Sequence, residues 1–134
     1  MPTAIVLRAL GDASALQPEP VEVPPPGPGE IRLRQTAIGV NFHDVYVRSG
    51  LYRTLALPGI PGIEGVGVVE ALGPGVTTLG IGDRVGYISP QYGAYAAIRL
   101  LPADQALRLP AALDDVAAAS FLLKALTAQM LLRQ

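Results

Sequence analysis

Residues 58–87 read PGIPGIEGVGVVEALGPGVTTLGIGDRVGY. Glycines bracket a continuous apolar run over residues 64–72, which predicts a buried strand. Gly73, Pro74 and Gly75 follow and predict a tight turn. An acid–arginine pair, Asp83 and Arg84, then opens a second predicted strand over residues 84–88. This stretch is therefore expected to fold as short strands joined by turns.

The same character extends over the first 110 residues, which carry all 15 glycines and all 13 prolines. Further strands are predicted over residues 3–9, 30–40 and 94–100. In the second of these, Ile31 and Leu33 alternate with arginines, as in a half-buried strand. Residues 41–49 favour a short helix, with Asn41 as its N-cap and Gly50 as its stop. The predicted fold class is mainly β with short helices.

The character changes after Pro110. Apolar residues recur near a period of 3.6 from Val116 onward, and Asp114 and Asp115 lie where a helix start favours negative charge. A helix of about twenty residues is predicted to run to Gln134, and we place a boundary between residues 1–112 and residues 113–134. A helix this apolar needs partners on more than one side. Either a second copy, in a homo-oligomer, or a further domain would supply them.

The amino-acid composition argues against several classes of binding partner. The net charge is −1 with no basic run, which argues against nucleic acid. No cysteine is present, so neither a disulfide nor a thiolate zinc site can form, and a cytoplasmic location is expected. The longest apolar stretch, residues 116–123, is shorter than the ~20 residues of a membrane span, so no membrane is expected as a partner.

Two glycine pairs can be compared with the glycine motif of a dinucleotide-binding site. Gly65 with Gly67 and Gly73 with Gly75 each lack the third glycine of G-x-G-x-x-G, and neither pair opens a predicted helix. No complete dinucleotide site is expected within the chain.

Several ordered motifs carry a family resemblance. They are residues 39–52 (GVNFHDVYVRSGLY), Gly62-x-Glu64, residues 82–85 (GDRV), residues 93–95 (GAY) and residues 117–127 (AAASFLLKALT). Together they resemble the N-terminal, GroES-like catalytic domain of the medium-chain dehydrogenase/reductase superfamily, in its zinc-independent quinone oxidoreductase branch. The resemblance implies a partly open, GroES-like β-barrel followed by a C-terminal helix. It also implies a Rossmann α/β domain that these residues do not include.

The resemblance also implies a chemistry. Zinc-dependent relatives hold the catalytic metal with Cys, His and Cys, and these positions fall here on Asn41, Ile63 and Leu123. The isoleucine and leucine side chains offer no lone pair. His43 with Asp44 and Glu64 is a weak metal set. No metal site is therefore expected, and the resemblance implies NADP(H) as cofactor and a quinone or enone as substrate.

Each candidate site residue has two possible interpretations. Asn41 either caps the helix or lies near the nicotinamide and substrate, where its amide would donate to a carbonyl. Tyr46 and Tyr52 either pack in the core or line the substrate cleft with flat faces and hydroxyls. Thr127 either contacts the nicotinamide or bonds back to its own helical turn.

Two further residue sets are less specific. The single histidine, His43, is either a surface residue or a contact to nicotinamide or substrate. Glu64 and Arg84 are predicted to form a partly buried ion pair.

The leading hypothesis is that the chain is the catalytic portion of an NADPH-dependent quinone oxidoreductase, inactive without its Rossmann domain. The alternatives are a stand-alone GroES-like binding or assembly module without enzymatic activity, and a reductase subdomain of a larger synthase.

Overall fold

The computed structural model describes residues 1–133; Gln134, the last residue of the predicted terminal helix, lies outside them. Short 3-10 turns occupy Ala13–Ala15 and Ala103–Gln105. The strands and helices in chain order are β1 (Thr3–Leu7), β2 (Leu16–Pro20), β3 (Glu30–Ile38), α1 (Phe42–Ser49), β4 (Glu64–Leu72), β5 (Arg84–Ile88), β6 (Ile98–Pro102), β7 (Ala106–Arg108) and α2 (Asp115–Leu132). The structure is mainly β with a C-terminal helix, which confirms the predicted fold class.

The strands form two antiparallel sheets. β1 pairs with β2, while the larger sheet has the order β6-β3-β4-β5-β7. Isolated bridges from Ala4 to Ala96 and from Leu7 to Gly59 tie β1 to the rest of the structure. The long strands β3 and β4 occupy the middle of the larger sheet and provide most of its core-facing side chains.

Most predicted boundaries agree with the structure, and the exceptions have local causes. β4, β5 and the end of α1 are as predicted, with Gly50 closing the helix at a positive φ of 86°. The strand predicted over residues 94–100 is instead Ile98–Pro102, because residues 94–96 bond to β1 and to the loop before β4. β2 and β7 were not predicted, since β2 holds two prolines and β7 is only three residues long.

The core lies between the larger sheet and the chain that closes over it. Its buried side chains include Ile31, Leu33, Val69, Val85, Tyr87 and Leu101. A second, smaller cluster forms where Ala118 and Ala119 of α2 pack on Val66 of β4. Small side chains on the helix let it lie close to the sheet, so that polar groups at the ends of β4 and β5 reach it.

The start of α2 is held by charge. The Arg84 guanidinium donates to the Asp115 carboxylate (2.6 Å from Nη2 to Oδ1) and to the Leu113 carbonyl, and the Thr36 hydroxyl donates to the same carboxylate at 2.6 Å. The predicted Glu64–Arg84 pair is therefore wrong. In the β4–β5 register Glu64 lies opposite Ile88 and Arg84 opposite Val68, so the two residues occupy opposite ends of the pairing.

The rest of α2 is largely exposed. Phe121 and Leu126 are 43% exposed, and Met130, Leu131 and Leu132 more so. With 18 residues and a mean hydropathy of 1.4, α2 is long and apolar enough by length and composition to cross a membrane, and 11% of it is buried. A single such helix is weak evidence for a membrane span, so the expectation of no membrane partner stays a prediction.

We expect the Asp115 contacts to make stability depend on pH. The hydrogen bond from Thr36 and the Arg84 guanidinium hold the pKa of the Asp115 carboxyl below its usual value. A pKa lowered by folding stabilises the folded chain above the unfolded-state pKa of about 4, and the contribution is lost as the pH falls through the folded-state pKa. Asp115→Asn should therefore be less stable than the parent chain at pH 7, and the difference should shrink by pH 3.

Urea unfolding followed by circular dichroism at both pH values measures this. Asp104→Asn is the matched control, because Asp104 is exposed on a 3-10 turn and has no part in the attachment of α2. A difference between Asp115→Asn and the parent chain that is the same at pH 7 and pH 3 would contradict the prediction.

Candidate active site

The N-terminus of α1 places Asn41 beside the barrel. Asn41 is the N-cap residue, as predicted, with extended backbone (φ −127°, ψ 155°). Its backbone N–H donates to the Asp44 carboxylate at 2.9 Å, and the Tyr95 hydroxyl donates to the same oxygen at 2.8 Å. Burial, followed by this bond to Asp44, raises the pKa of Tyr95, so its hydroxyl stays a proton donor. Asp44 thus fixes the backbone of Asn41 and leaves its side chain for other contacts.

That side chain belongs to a polar cluster around a buried carboxylate, which we call the Glu64 network: Asn41, Glu64, the Leu123 backbone and Lys124. Glu64 is 1% exposed. Its Oε1 accepts from Asn41 Nδ2 at 3.1 Å and its Oε2 from the Leu123 N–H at 2.9 Å. The Lys124 ammonium donates to Asn41 Oδ1 at 3.1 Å and lies 3.7 Å from Glu64 Oε1. The network therefore joins β4, the start of α1 and the middle of α2.

Gly39 makes room for this network. A Cβ atom on Gly39 would collide with the Glu64 carboxylate, so the carboxylate occupies the space that any other residue would fill. Asn41 and Leu123, two of the positions that the resemblance aligns with zinc ligands, are here both bound to this one carboxylate. Sequence reasoning missed Lys124, although it is the single lysine of the chain and interrupts an apolar helix.

An exposed aromatic cluster lies on α1 and the loops beside it. Tyr46 and Tyr52 meet edge to face with ring centroids 5.3 Å apart, and Tyr52 also lies 5.6 Å from the His43 ring. Tyr46 is 36% and Tyr52 45% exposed, so neither is a core residue. Phe42 stacks on Tyr46 at 6.5 Å. The cluster offers flat faces to solvent on and beside the helix that Asn41 caps.

His43 is held on one side of this cluster. Its ring stacks on Tyr92, and Nε2 lies 2.9 Å from the Tyr92 hydroxyl, which in turn lies 2.6 Å from the Thr54 hydroxyl. His43 is therefore part of a hydrogen-bonded chain and not an isolated surface residue. Tyr92 was not among the predicted site residues, because no local motif links it to α1.

Thr127 lies on α2, one turn beyond Leu123. Its hydroxyl donates to the Leu123 carbonyl at 2.8 Å, which is the bond back to its own turn that the sequence allowed. The residue is exposed, and a nicotinamide contact remains a prediction.

Metal ions and dinucleotides each need a recognisable arrangement of residues. Within residues 1–133 no group of three or more His, Cys, Asp and Glu side chains is placed to hold a metal ion. Gly65 and Gly67 lie inside β4, and Gly73 and Gly75 lie in the turn after it, so neither pair opens a helix. These four glycines lie in a strand and in the turn that follows it, as the sequence indicated.

The fold and site agree with comparisons to known proteins. The profile of the alcohol dehydrogenase GroES-like domain matches residues 27–111, and the chain belongs to that family. Its strong relatives are quinone oxidoreductases of the medium-chain dehydrogenase/reductase superfamily, which confirms the resemblance found in the sequence. One is the quinone oxidoreductase of Pseudomonas aeruginosa, 43% identical over the whole chain and 41% of that protein. Another is the 2-haloacrylate reductase of a Burkholderia species, 45% identical over the whole chain and 42% of that protein.

Solved structures give the same result. The quinone oxidoreductase of Pseudomonas syringae superposes with a TM-score of 0.95 at 42% identity, over the whole chain and 41% of that structure. The Escherichia coli quinone oxidoreductase, solved with NADPH, also gives 0.95 at 40% identity, over 98% of this chain and 40% of that one. The chain thus spans about two fifths of the length of these relatives.

We expect the Glu64 carboxylate to hold α2 on the barrel. Glu64→Ala would remove the charged acceptor of the Leu123 N–H and of an Asn41 N–H, and a hydrogen bond to a charged group contributes roughly 1.5–3 kcal/mol. The free energy of unfolding should fall by about 3 kcal/mol in urea titrations. Glu22→Ala, at an exposed position, should change it by less than about 0.5 kcal/mol. An equal effect of the two substitutions would contradict this assignment.

Proposed function

We propose that this chain is the catalytic domain of an NADPH-dependent quinone oxidoreductase that works without zinc. Its substrate would be a quinone or an activated alkene such as an enone. The observation that carries the proposal is the juxtaposition, at the start of α1, of a held amide and exposed tyrosine rings. Asn41 is bound by Glu64 and Lys124, and Tyr46 lies five residues further along, within the helix that Asn41 caps. Relatives with this fold are quinone and haloacrylate reductases.

Each proposed site residue has a physical role. The Asn41 amide donates a hydrogen bond to the substrate carbonyl and stabilises negative charge that develops on its oxygen. Tyr46 and Tyr52 offer flat faces to a planar ring and hydroxyls that orient it. Thr127, on the facing helix, contacts the nicotinamide. The bound nicotinamide supplies the hydride, and the protein supplies orientation and a site shielded from water.

The absence of zinc chemistry in this proposal rests on the donors present. Ile63 and Leu123 have no side-chain lone pair for a metal. The Asn41 oxygen already accepts from Lys124, and the nearest carboxylate, that of Glu64, already accepts from Asn41 and Leu123. A cation would have to displace the ammonium group to reach these oxygens. The residues therefore do not fit a zinc ion.

We also propose a division of labour along the chain. Residues 1–112 form the catalytic domain, and residues 113–134 form a helix that leads to a Rossmann domain, which would bind the cofactor phosphates. Three observations support this division. The chain spans two fifths of its relatives, its glycine pairs open no helix, and α2 exposes apolar side chains at Phe121, Leu126 and Met130.

We expect two linked results, one for the binding of NADPH and one for the turnover of a quinone. The chain alone should bind NADPH with a Kd weaker than about 1 mM, and the chain joined to its proposed Rossmann domain should bind in the micromolar range typical of enzymes. In the joined protein, Asn41→Ala should lower kcat for tetramethyl-1,4-benzoquinone about 10²-fold, as for loss of one oxyanion donor. NADPH fluorescence measures the binding, and loss of absorbance at 340 nm the turnover.

Leu107→Ala is the control, because Leu107 is exposed on the edge strand β7 and has no part in the proposed site. Micromolar NADPH binding by the chain alone would contradict the division into domains. A joined protein that binds NADPH but reduces neither quinones nor enones would favour the alternative, a GroES-like binding module whose contact surface is α2.

The exposed side of α2 also carries our proposal of a homo-oligomer. Leu126 is the clearest position to test, because it is 43% exposed and its replacement leaves the Ala118–Ala119 packing intact. Leu126→Glu should raise the dissociation constant of the oligomer at least about tenfold, since a charge at an apolar interface costs more than 1.4 kcal/mol. Analytical ultracentrifugation measures it, with Leu107→Glu on β7 as control. An oligomer that is equally stable in both variants would contradict a contact through α2.

A further inference from the structure

The amide of Asn41 is bound at both ends by charged groups of opposite sign. Asn41 is the single asparagine of the chain and Lys124 the single lysine. The Lys124 ammonium lies 3.1 Å from Oδ1, and the Glu64 Oε1 lies 3.1 Å from Nδ2. An ammonium group only donates hydrogen bonds and a carboxylate only accepts them. A flipped amide would face both with the wrong group, so the chemistry of the partners allows one orientation.

In this orientation the Asn41 amide keeps an unused hydrogen-bond donor. An asparagine amide has two N–H donors and two lone pairs on its oxygen. Glu64 takes one of the two donors and Lys124 donates to the oxygen, so one Nδ2–H remains. The positive charge beside Oδ1 also polarises the amide and strengthens its N–H as a donor. The remaining N–H is thereby suited to an acceptor oxygen.

We propose that Glu64 and Lys124 are positioning residues that hold the Asn41 amide in one orientation, so that its remaining Nδ2–H is presented to a carbonyl oxygen of the substrate. The identity of that oxygen rests on the function proposed above, whereas the fixed orientation does not. The site thus selects a ligand that accepts a hydrogen bond at this point, which a quinone or enone carbonyl does.

The two positioning residues differ in how firmly they are held. Glu64 is 1% exposed, and its second oxygen accepts from the Leu123 N–H, so rotation of the carboxylate would break that hydrogen bond. The Lys124 side chain is 56% exposed and makes its contacts only at the ammonium end. Glu64 therefore sets the position, and Lys124 both neutralises the carboxylate and excludes the flipped amide. This difference makes Lys124 the better site for substitution, because more than half of its side chain is exposed.

Selective labelling tests the orientation in the chain itself. Labelling with side-chain ¹⁵N asparagine yields a single pair of Nδ2 protons, because there is one asparagine. The proton bound to Glu64 should exchange with solvent at least about tenfold more slowly than the other, as expected for a charge-assisted bond. Lys124→Met and Glu64→Gln should each reduce that difference at least about fivefold, and Lys124→Arg, which keeps a donor and a charge, should restore most of it. Near-equal exchange of the two protons in the parent chain would overturn the proposal, as would a pattern unchanged in both Lys124→Met and Glu64→Gln.

Adding tetramethyl-1,4-benzoquinone, which has no free ring position for reaction with lysine, separates this inference from the proposed function. The fast-exchanging proton should move downfield on titration, and the slowly exchanging one should not. A response confined to the slowly exchanging proton would overturn the assignment of the free donor. The expected exchange pattern with no response from either proton would support the fixed orientation and contradict the proposed quinone contact.

Discussion

The structure depends on one buried anion. Glu64 begins the central strand β4 with its carboxylate removed from water, and a buried carboxylate is tolerated only when its lone pairs are satisfied. Two separate parts of the chain provide the partners: the start of α1 through the Asn41 amide, and the middle of α2 through the Leu123 N–H and the Lys124 ammonium. The absence of a side chain at Gly39 provides the space. The need to satisfy one carboxylate therefore sets how α1 and α2 lie against the barrel.

A second polar contact completes the attachment of α2. Arg84, at the far end of the β4–β5 pairing from Glu64, bonds to Asp115 and to the Leu113 carbonyl at the start of the helix. Between the two attachments Ala118 and Ala119 pack on Val66 of β4. The helix is thus held along one narrow face by two charged groups and small side chains. Its larger apolar side chains are left on the other faces, where a cofactor domain or a second copy can contact them.

The same arrangement accounts for chemistry without a metal in the proposed function. Here Lys124 brings a positive charge to the oxygen side of Asn41, and the amide transmits its effect to an N–H. A fixed donor of this kind needs no reorganisation when charge develops, and this is the general advantage of a preorganised site. The exposed rings of Tyr46 and Tyr52 then provide a surface for a planar substrate.

Local patterns in the sequence were enough for the fold class and for the elements with regular spacing. The alternation in β3, the apolar run of β4 and the cap and glycine of α1 each act over a few residues, so their bounds could be predicted closely. The ordered glycine motifs likewise identified the family. The partners of Glu64 could not be predicted in this way. Nearness in a motif suggested Arg84, but the antiparallel register separates the two residues by four positions, or about 13 Å along the strands. Lys124 and Tyr92 reach the site from positions 60 and 49 residues away from their partners Glu64 and His43, because only the closed sheet and the packed helix bring those segments together. The residue types and their local elements were thus set by the sequence pattern, whereas the charge pairing that orients Asn41 was decided by tertiary packing.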